Sequence, residues 1–246
     1  MKKSSPSPLP TPHQKTAARS SEAGESRSAR RKRETRLSLM KAALELMSER
    51  GSGEVTIQQI TAAADVGFGT FYNYFESKED IYNCLLEEVF ERSAKVVDEA
   101  VAHITDPAER LSVGVRYTLL QAKADPVWGR FLARSPFNPE IISQGLGKFL
   151  LRDVLEGIAK QRFKVNDTGV ALMAVGSTVL GAVTITLQSP APPQARLYDD
   201  LGLYAESLPE RVCEMVLRIL GVDSDEATRL ASLPLPPLEG FFRLSV

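Results

Sequence analysis

The stretch "TIQQITAAADVGFGTFYNYF", Thr56–Phe75, decides how this chain folds. Thr56 is a good N-cap for a short helix, because its hydroxyl can accept from a free backbone N–H of the first turn. Ile57, Ile60 and Ala64 then fall on one side of that helix. A tight turn at 65–67 follows, and the spacing predicts a second helix of about two turns. On it Phe71 and Phe75 stand four apart and point inward with Val66 against Ile60. Phe68, Gly69, Tyr72 and Asn73 take the other side, and Tyr72 and Tyr74 offer hydroxyls outward. So short a helix is unstable alone in water, so the two inward rings serve as its anchors. Gly67 and Gly69 keep its N-terminal end slim enough for backbone to approach a phosphate or a groove wall. Two short helices across a tight turn make a helix-turn-helix.

The flanking sequence is helical as well. From Glu34 onward, Leu37, Met40, Leu44 and Met47 mark an amphipathic stripe that Gly51 and Gly53 terminate. Ser77 caps a long helix with Glu79 and Asp80 in its first turn, where the helix dipole favours acids. Ile81, Leu85, Val89 and Val96 form its stripe. Asp106-Pro107, Asp125-Pro126 and Asn138-Pro139 each place an N-cap before a proline at the first helical position. They divide the middle into helices near 107–124, 126–134 and 139–163, the last open to a break at Gly145 and Gly147. Asp167 opens a helix over 167–188 that is apolar almost all round, which predicts burial on more than one side. Ser207 and Glu210 have the spacing of a capping box for a helix over 208–220, closed by Gly221. A short helix near 225–232 and a proline-rich end follow. No strand pattern survives, so the expected class is all-α.

Composition narrows the function. The 246 residues, 43% hydrophobic and 25% charged, suit one or two globular domains. The net charge of −1 hides an asymmetry: residues 1–36 carry ten Lys/Arg against three Glu, or +7, which leaves −8 on the rest. A basic end on an acidic body suits a polyanion touching that end, although a solvated tail reads the same way. Residues 1–32 lack apolar periodicity and are expected to be a disordered basic tail. MKKSSPSPLPTPHQK has no apolar core of a secretory signal, and no run of about 18 apolar residues suggests a membrane partner. Cys84 and Cys213 are far apart and read as reduced thiols, which with the missing signal makes a cytoplasmic location the expectation. His13 and His103 form no cluster. With no nucleophile–base pair, metal spacing or phosphate loop, neither catalysis, a cofactor nor a metal is expected.

From Glu34 to Val89 the chain resembles the DNA-binding domain of the tetracycline-repressor (TetR/AcrR) family of bacterial transcription regulators. Ala43, Gly51, "TIQQITAAADV", "GTFYNYF" and "SKED" carry the resemblance. It departs at Asp65, where the family usually has Gly, and at Gly67, often Ser or Thr. The resemblance implies an N-terminal three-helix domain over 33–93 and a larger helical regulatory and dimerisation domain over 94–233, with a tail over 234–246. It implies that Thr56 meets backbone phosphate, that Phe68, Gly69, Thr70, Tyr72 and Asn73 face the major groove, and that Tyr74 and Lys78 grip phosphates. An exposed Phe68 suits a thymine methyl better than a hydrogen-bonding edge. Arg31 and Arg33, in "RSARRKRETR", would reach the minor groove or flanking phosphates.

For the regulatory half the resemblance supplies layout only: a bundle enclosing a ligand cavity, with the last two long helices pairing across a two-fold axis. Val175, Val179, Val212, Met215, Val216 and Ile219 are the expected dimer contacts, burial within one subunit being the alternative. Tyr117, Leu120, Trp128, Phe131, Phe137, Phe149 and Met173 are candidate cavity residues, or ordinary core. Arg116, Gln121, Arg130 and Arg134 are candidate polar anchors. The implied function is a homodimeric repressor that binds a palindromic operator in double-stranded DNA and is released by a small apolar or aromatic ligand. A regulator without an effector, and a helical carrier or enzyme, are the alternatives.

Overall fold

The computed structural model describes residues 27–135, 142–143, 145–188 and 194–238, and among these no strand occurs. Helix α1 spans Arg27–Arg50, α2 Ile57–Ala63, α3 Phe68–Phe71 and α4 Lys78–Leu85. From α4 the chain continues through a π-helical segment, Leu86–Glu91, into α5, Arg92–Ala100. Then come α6, Pro107–Ala124; α7, Pro126–Arg134; α8, Gly145–Ala159; and α9, Thr168–Leu187. The last are α10, Gln194–Asp200; α11, Leu208–Ile219; and α12, Ser224–Ala231.

Helix α1 starts well before Glu34, so the basic run Arg27–Arg33 is an exposed helical extension where a disordered tail was expected. Its buried stripe is Leu39, Met40, Ala43, Leu44 and Met47, whereas Leu37 is exposed. The π segment explains a second difference. Its wide turns slip the register by a residue, so α5 buries Val97 at the core while Val96 is only partly covered.

Asp106 and Asp125 cap α6 and α7 as their spacing implies, accepting from Ala108 N at 2.9 Å and Val127 N at 3.1 Å. Asn138 and Phe137 lie outside the described residues. Ser207 caps α11 by position but makes no side-chain bond, so the expected capping box with Glu210 is not formed. Proline at the first turn lacks one of the donors such a box would satisfy.

Helices α6, α7, α8, α9 and α11 make the bundle, and α1 lies along α7. One continuous core runs from Phe71 and Phe75 through Leu85 and Phe90 to Trp128, Phe131 and Val183, so the N-terminal unit is welded to the bundle. A second core lies between α6, α8, α9, α11 and α12. Helix α9 departs from expectation. With a mean hydropathy of 2.0 it passes the length and composition test for crossing a membrane, yet it packs on α6, α7 and α11. Only one flank is buried. Val170, Met173, Ser177, Gly181 and Thr184, spaced as one helical face, are exposed.

Candidate nucleic-acid interface and ligand cavity

The N-terminal surface is built by local bonds. At the start of α2 the Thr56 hydroxyl accepts from Gln59 N at 3.2 Å, while the Gln59 side chain accepts from Thr56 N at 2.9 Å. This reciprocal box satisfies two donors that a helix N-terminus leaves open. The helix ends in a Schellman turn: Val66 N donates to Thr61 O at 3.0 Å and Asp65 N to Ala62 O at 3.3 Å. That turn requires a left-handed residue, and Asp65 takes it at φ 54°. The Ser38 hydroxyl donates to Ala64 O at 3.2 Å and fixes the turn against α1.

Helix α3 is a single α-turn, shorter than the expected two turns, prolonged by turns at 72–74 in which Asn73 N donates to Thr70 O at 3.2 Å and Tyr74 N to Phe71 O at 3.0 Å. Its stability is tertiary. Phe71 is 0% and Phe75 2% exposed, with ring centroids 5.6 Å apart. Above them Phe68 and Tyr72 are each 53% exposed, and the Tyr72 ring sits edge-on to Phe68 at 5.7 Å and to Phe71 at 5.5 Å. Gly69 and Asn73 are exposed beside them and Thr70 is half-buried. The outcome is a rigid ledge of ring edges, a backbone without side chain and one amide.

The remaining interface candidates differ in placement. Tyr74 is half-buried against the core. Lys78 opens α4 and donates from Nζ to Gly53 O at 3.4 Å, linking it to the loop after α1. Ser77 accepts from Asp80 N at 3.1 Å, and the Asp80 carboxylate accepts from Glu76 N at 2.9 Å. Arg31 and Arg33 stand on the exposed extension of α1.

Within the bundle a cavity of about 150 Å³ opens between α5, α6, α7, α8 and α9. Its wall is mostly apolar, and Trp128 and Phe149 line it as expected. The other candidates among the described residues do not. Phe131 belongs to the core, stacked on Phe90 at 5.4 Å. Tyr117 and Leu120 face a cluster with Val97, Val101 and the C-terminal segment, where the Tyr117 hydroxyl donates to Pro236 O. That segment is docked to Leu238, further than a tail beginning at 234 implies. Met173 is 50% exposed on the outer face of α9. Of the polar candidates, Arg116 is committed to Leu233 O at 2.6 Å, Arg134 is exposed, and neither Gln121 nor Arg130 reaches the cavity.

The charged wall comes from Asp98, Arg110, Arg152 and Asp153, with Ser93 and Thr118 also among the lining residues. Asp153 accepts on Oδ1 from Arg110 Nε at 3.0 Å and from Arg152 Nε and Nη2 at 3.0 and 2.8 Å. Arg152 Nη1 also holds Asp98 at 2.6 Å, and Arg110 Nη2 holds Glu156. Burial pushes the Asp153 carboxyl up, while Arg152 and then Arg110 pull it down. The signal was in plain view: "KFLLRDVLEG" sets a charged pair inside an apolar run, where charges occur buried only when paired.

The expected dimer contacts also divide. Val175 and Val216 are fully buried within the subunit, and Val179, Val212 and Ile219 are partly covered there. Only Met215, at 50%, is exposed.

Residues 39–85 match the family model described as bacterial regulatory proteins, tetR family, and residues 106–233 match tetracyclin repressor-like, C-terminal domain. The chain is 36% identical over 78 residues to the HTH-type transcriptional regulator HbdR of Aromatoleum sp. (strain CIB), covering 32% of this chain and 34% of HbdR. It is 35% identical over 72 residues to the HTH-type transcriptional repressor DhaR of Mycobacterium sp. (strain GP1), 29% of this chain and 36% of DhaR. The chain thus matches about a third of the length of these curated relatives. Among solved structures it is similar to RolR in complex with resorcinol, at TM-score 0.61 and 29% identity, over 86% of this chain and 100% of that one.

Proposed function

The chain belongs to the tetR family of bacterial regulatory proteins, a transcriptional regulator and not an enzyme, and on that premise we propose that it is a homodimeric, ligand-released repressor acting in the cytoplasm. The observation that carries this is the pairing of the Phe68–Asn73 ledge with a cavity joined to it by one continuous core. Phe68, Gly69, Thr70, Tyr72 and Asn73 read the major groove, while Thr56, Tyr74 and Lys78 hold phosphates. The α1 extension, with Arg31 and Arg33, adds sequence-independent attraction. Two such heads must sit about 34–36 Å apart to meet successive major grooves of a palindrome.

Dimerisation uses the outer face of α9, with Val170, Met173, Ser177, Gly181 and Thr184, together with Met215 of α11. Val170 and Met173 leave apolar surface on a face without a charged side chain, and the small residues Ser177 and Gly181 let a symmetry-related helix come close.

The effector is a small aromatic molecule. A cavity of about 150 Å³ suits a single ring, and resorcinol occupies RolR. Its occupancy reaches the reading head through a connected set of contacts. Trp128 lines the cavity and meets Phe90 of the π segment edge-on at 5.5 Å. Glu88 of the same segment accepts from Arg36 at 2.7 Å, and the Arg36 guanidinium lies 5.4 Å from the ring centre of Phe75. On this reading the six-residue π segment is the element that changes, since a return to α-geometry would rotate α4 against α5.

The test is a gel shift of the full chain on duplex DNA from upstream of its own gene, with and without resorcinol. A salt-dependent, sequence-selective complex that resorcinol dissociates is expected. No complex at low salt defeats the reading, and a complex indifferent to every small aromatic leaves a regulator without an effector.

A further inference from the structure

After α12 the chain leaves helical geometry, and residues 233–238 lie across α5 and α6. Side chains of α6 fix their course. The Ser112 hydroxyl donates to Leu230 O at 3.0 Å and Arg116 Nη1 to Leu233 O at 2.6 Å, a cation placed where a helix C-terminus favours one. Further on, the buried Tyr117 donates its hydroxyl to Pro236 O. Pro234, Pro236 and Pro237 preset φ, so little freedom is lost on docking. In the three-residue repeat that proline favours, Leu235 and Leu238 share an edge. Both leucines pack on the cluster of Val97 and Val101 from α5 with Val113 and Tyr117 from α6.

Val97 and Val101 also line the cavity, so at this seam the same side chains face the cavity and the segment outside it. On α6 the wall has a gap. Gly114 lines the cavity next to Val113 and three residues before Tyr117, and it is partly exposed. Beyond its own helix backbone, a Cβ placed there would meet nothing within 4 Å. Among the described residues no backbone–backbone hydrogen bond fastens 234–238 to the bundle, and the two leucines are only partly buried. A segment held so lightly opens locally at small cost.

We propose that residues 233–238 are a strap over the entrance to the cavity. It closes the α5–α6 seam at Gly114, and its local release admits small uncharged solutes. The passage is walled by Val97, Val101 and Val113, so a charged solute would shed its hydration there without a partner. The proposal concerns entry alone, and it stands or falls whatever the occupant does to DNA binding.

The test is collisional quenching of the full chain by acrylamide, a neutral solute. Trp128 is the only tryptophan and lines the cavity at 2% exposed, so its emission reads access with no effector required. Leu235→Ala/Leu238→Ala should raise the quenching rate constant about fivefold or more, and Tyr117→Phe about twofold, as the strap opens more often. Iodide, being charged, should gain far less. Adding Gly114→Leu to the double-alanine variant fills the seam and should bring acrylamide quenching back near that of the unaltered protein. Should that addition misfold by circular dichroism, Gly114→Ala takes its place with a partial return; should the double-alanine variant itself misfold, Tyr117→Phe carries the comparison. No rise in acrylamide quenching overturns the proposal. So does a rise that the Gly114 substitution leaves in place, or an equal rise with iodide, since either means that the bundle has loosened as a whole.

Discussion

Helices α3 and α9 are opposites. Helix α3 has four residues and no helical stability of its own, yet everything about it is determined from below by Phe71 and Phe75. Helix α9 has twenty residues, is among the most apolar in the chain, and leaves an entire face uncovered. A short helix exposes rings only when it is pinned; a long apolar helix exposes a stripe only when another surface completes it. On the proposed reading, exposure in the first case serves a polar partner, and in the second an apolar one.

The sharpest way to break the α3 half of this contrast is to separate anchor from ledge. Phe71→Ala should cost about 3–5 kcal/mol of stability, because a fully buried ring leaves a cavity that the short helix cannot close. Tyr72→Ala, at a half-exposed position, should cost less than about 1 kcal/mol. Thermal unfolding beside a binding isotherm checks both: Tyr72→Ala should keep its fold and lose DNA affinity. If Tyr72→Ala destabilises the protein as much as Phe71→Ala does, the ledge is merely more core.

For α9 the corresponding change is Met173→Arg. Met173 is half-exposed on the outer face, so the folded subunit should tolerate it, while a desolvated charge at a two-fold interface meets its own copy. Sedimentation should show a monomer, with DNA affinity lower by on the order of 100-fold as the second head is lost. A dimer that survives Met173→Arg would move the interface off this helix.

The same contrast explains what could be read in advance. In the reading head, local rules decide: Thr56 caps, Asp65 turns left-handed, and Phe71 and Phe75 share a face because they are four apart. Tertiary context decides in the bundle, and periodicity there cannot tell a face buried in the subunit from one buried by a partner. Val175 and Met173 are two residues apart on α9, and only the packing of α6 and α11 sends one inward and the other out. Trp128 was legible as a bulky apolar residue. The Arg110–Asp153 pair was not, because its partners lie 43 residues apart on helices whose mutual rotation no local pattern reveals. The π segment was invisible for a similar reason: a one-residue slip leaves the apolar spacing within each half intact.

A smaller effect is expected at the turn that joins α2 to α3. Asp65 holds a left-handed conformation that costs an L-residue about 1–2 kcal/mol, and glycine avoids that strain at an entropic cost of about 0.5–1 kcal/mol. Asp65→Gly should therefore stabilise the fold by about 0.5–1 kcal/mol. The gain appears as a modest rise in melting temperature with DNA affinity unchanged, because the turn's geometry stays the same. A loss of stability would show that the Asp65 side chain makes a contribution that outweighs its backbone strain.

The smallest effect lies in the ion cluster that joins α12 to the start of α6. Glu226 of α12 accepts from Arg162 at 2.6 Å and from Arg229 at 2.6 and 3.0 Å, and Arg162 also holds the Asp106 carboxylate that caps α6. Arg229 and then Arg162 hold the Glu226 carboxyl down, from an ordinary 4.5 to about 2. The folded state therefore binds its proton less readily than the unfolded chain does. Its contribution is fully present above about pH 4.5 and is lost as pH falls towards 2. Because the carboxylate is partly exposed, screening by solvent and salt keeps the contribution modest. In thermal melts, Glu226→Gln should lower stability slightly at pH 6 and converge on the unaltered protein near pH 2 to 3. A gap of constant size across that range would mean that the cluster holds α12 by shape and hydrogen bonding, with charge playing no part.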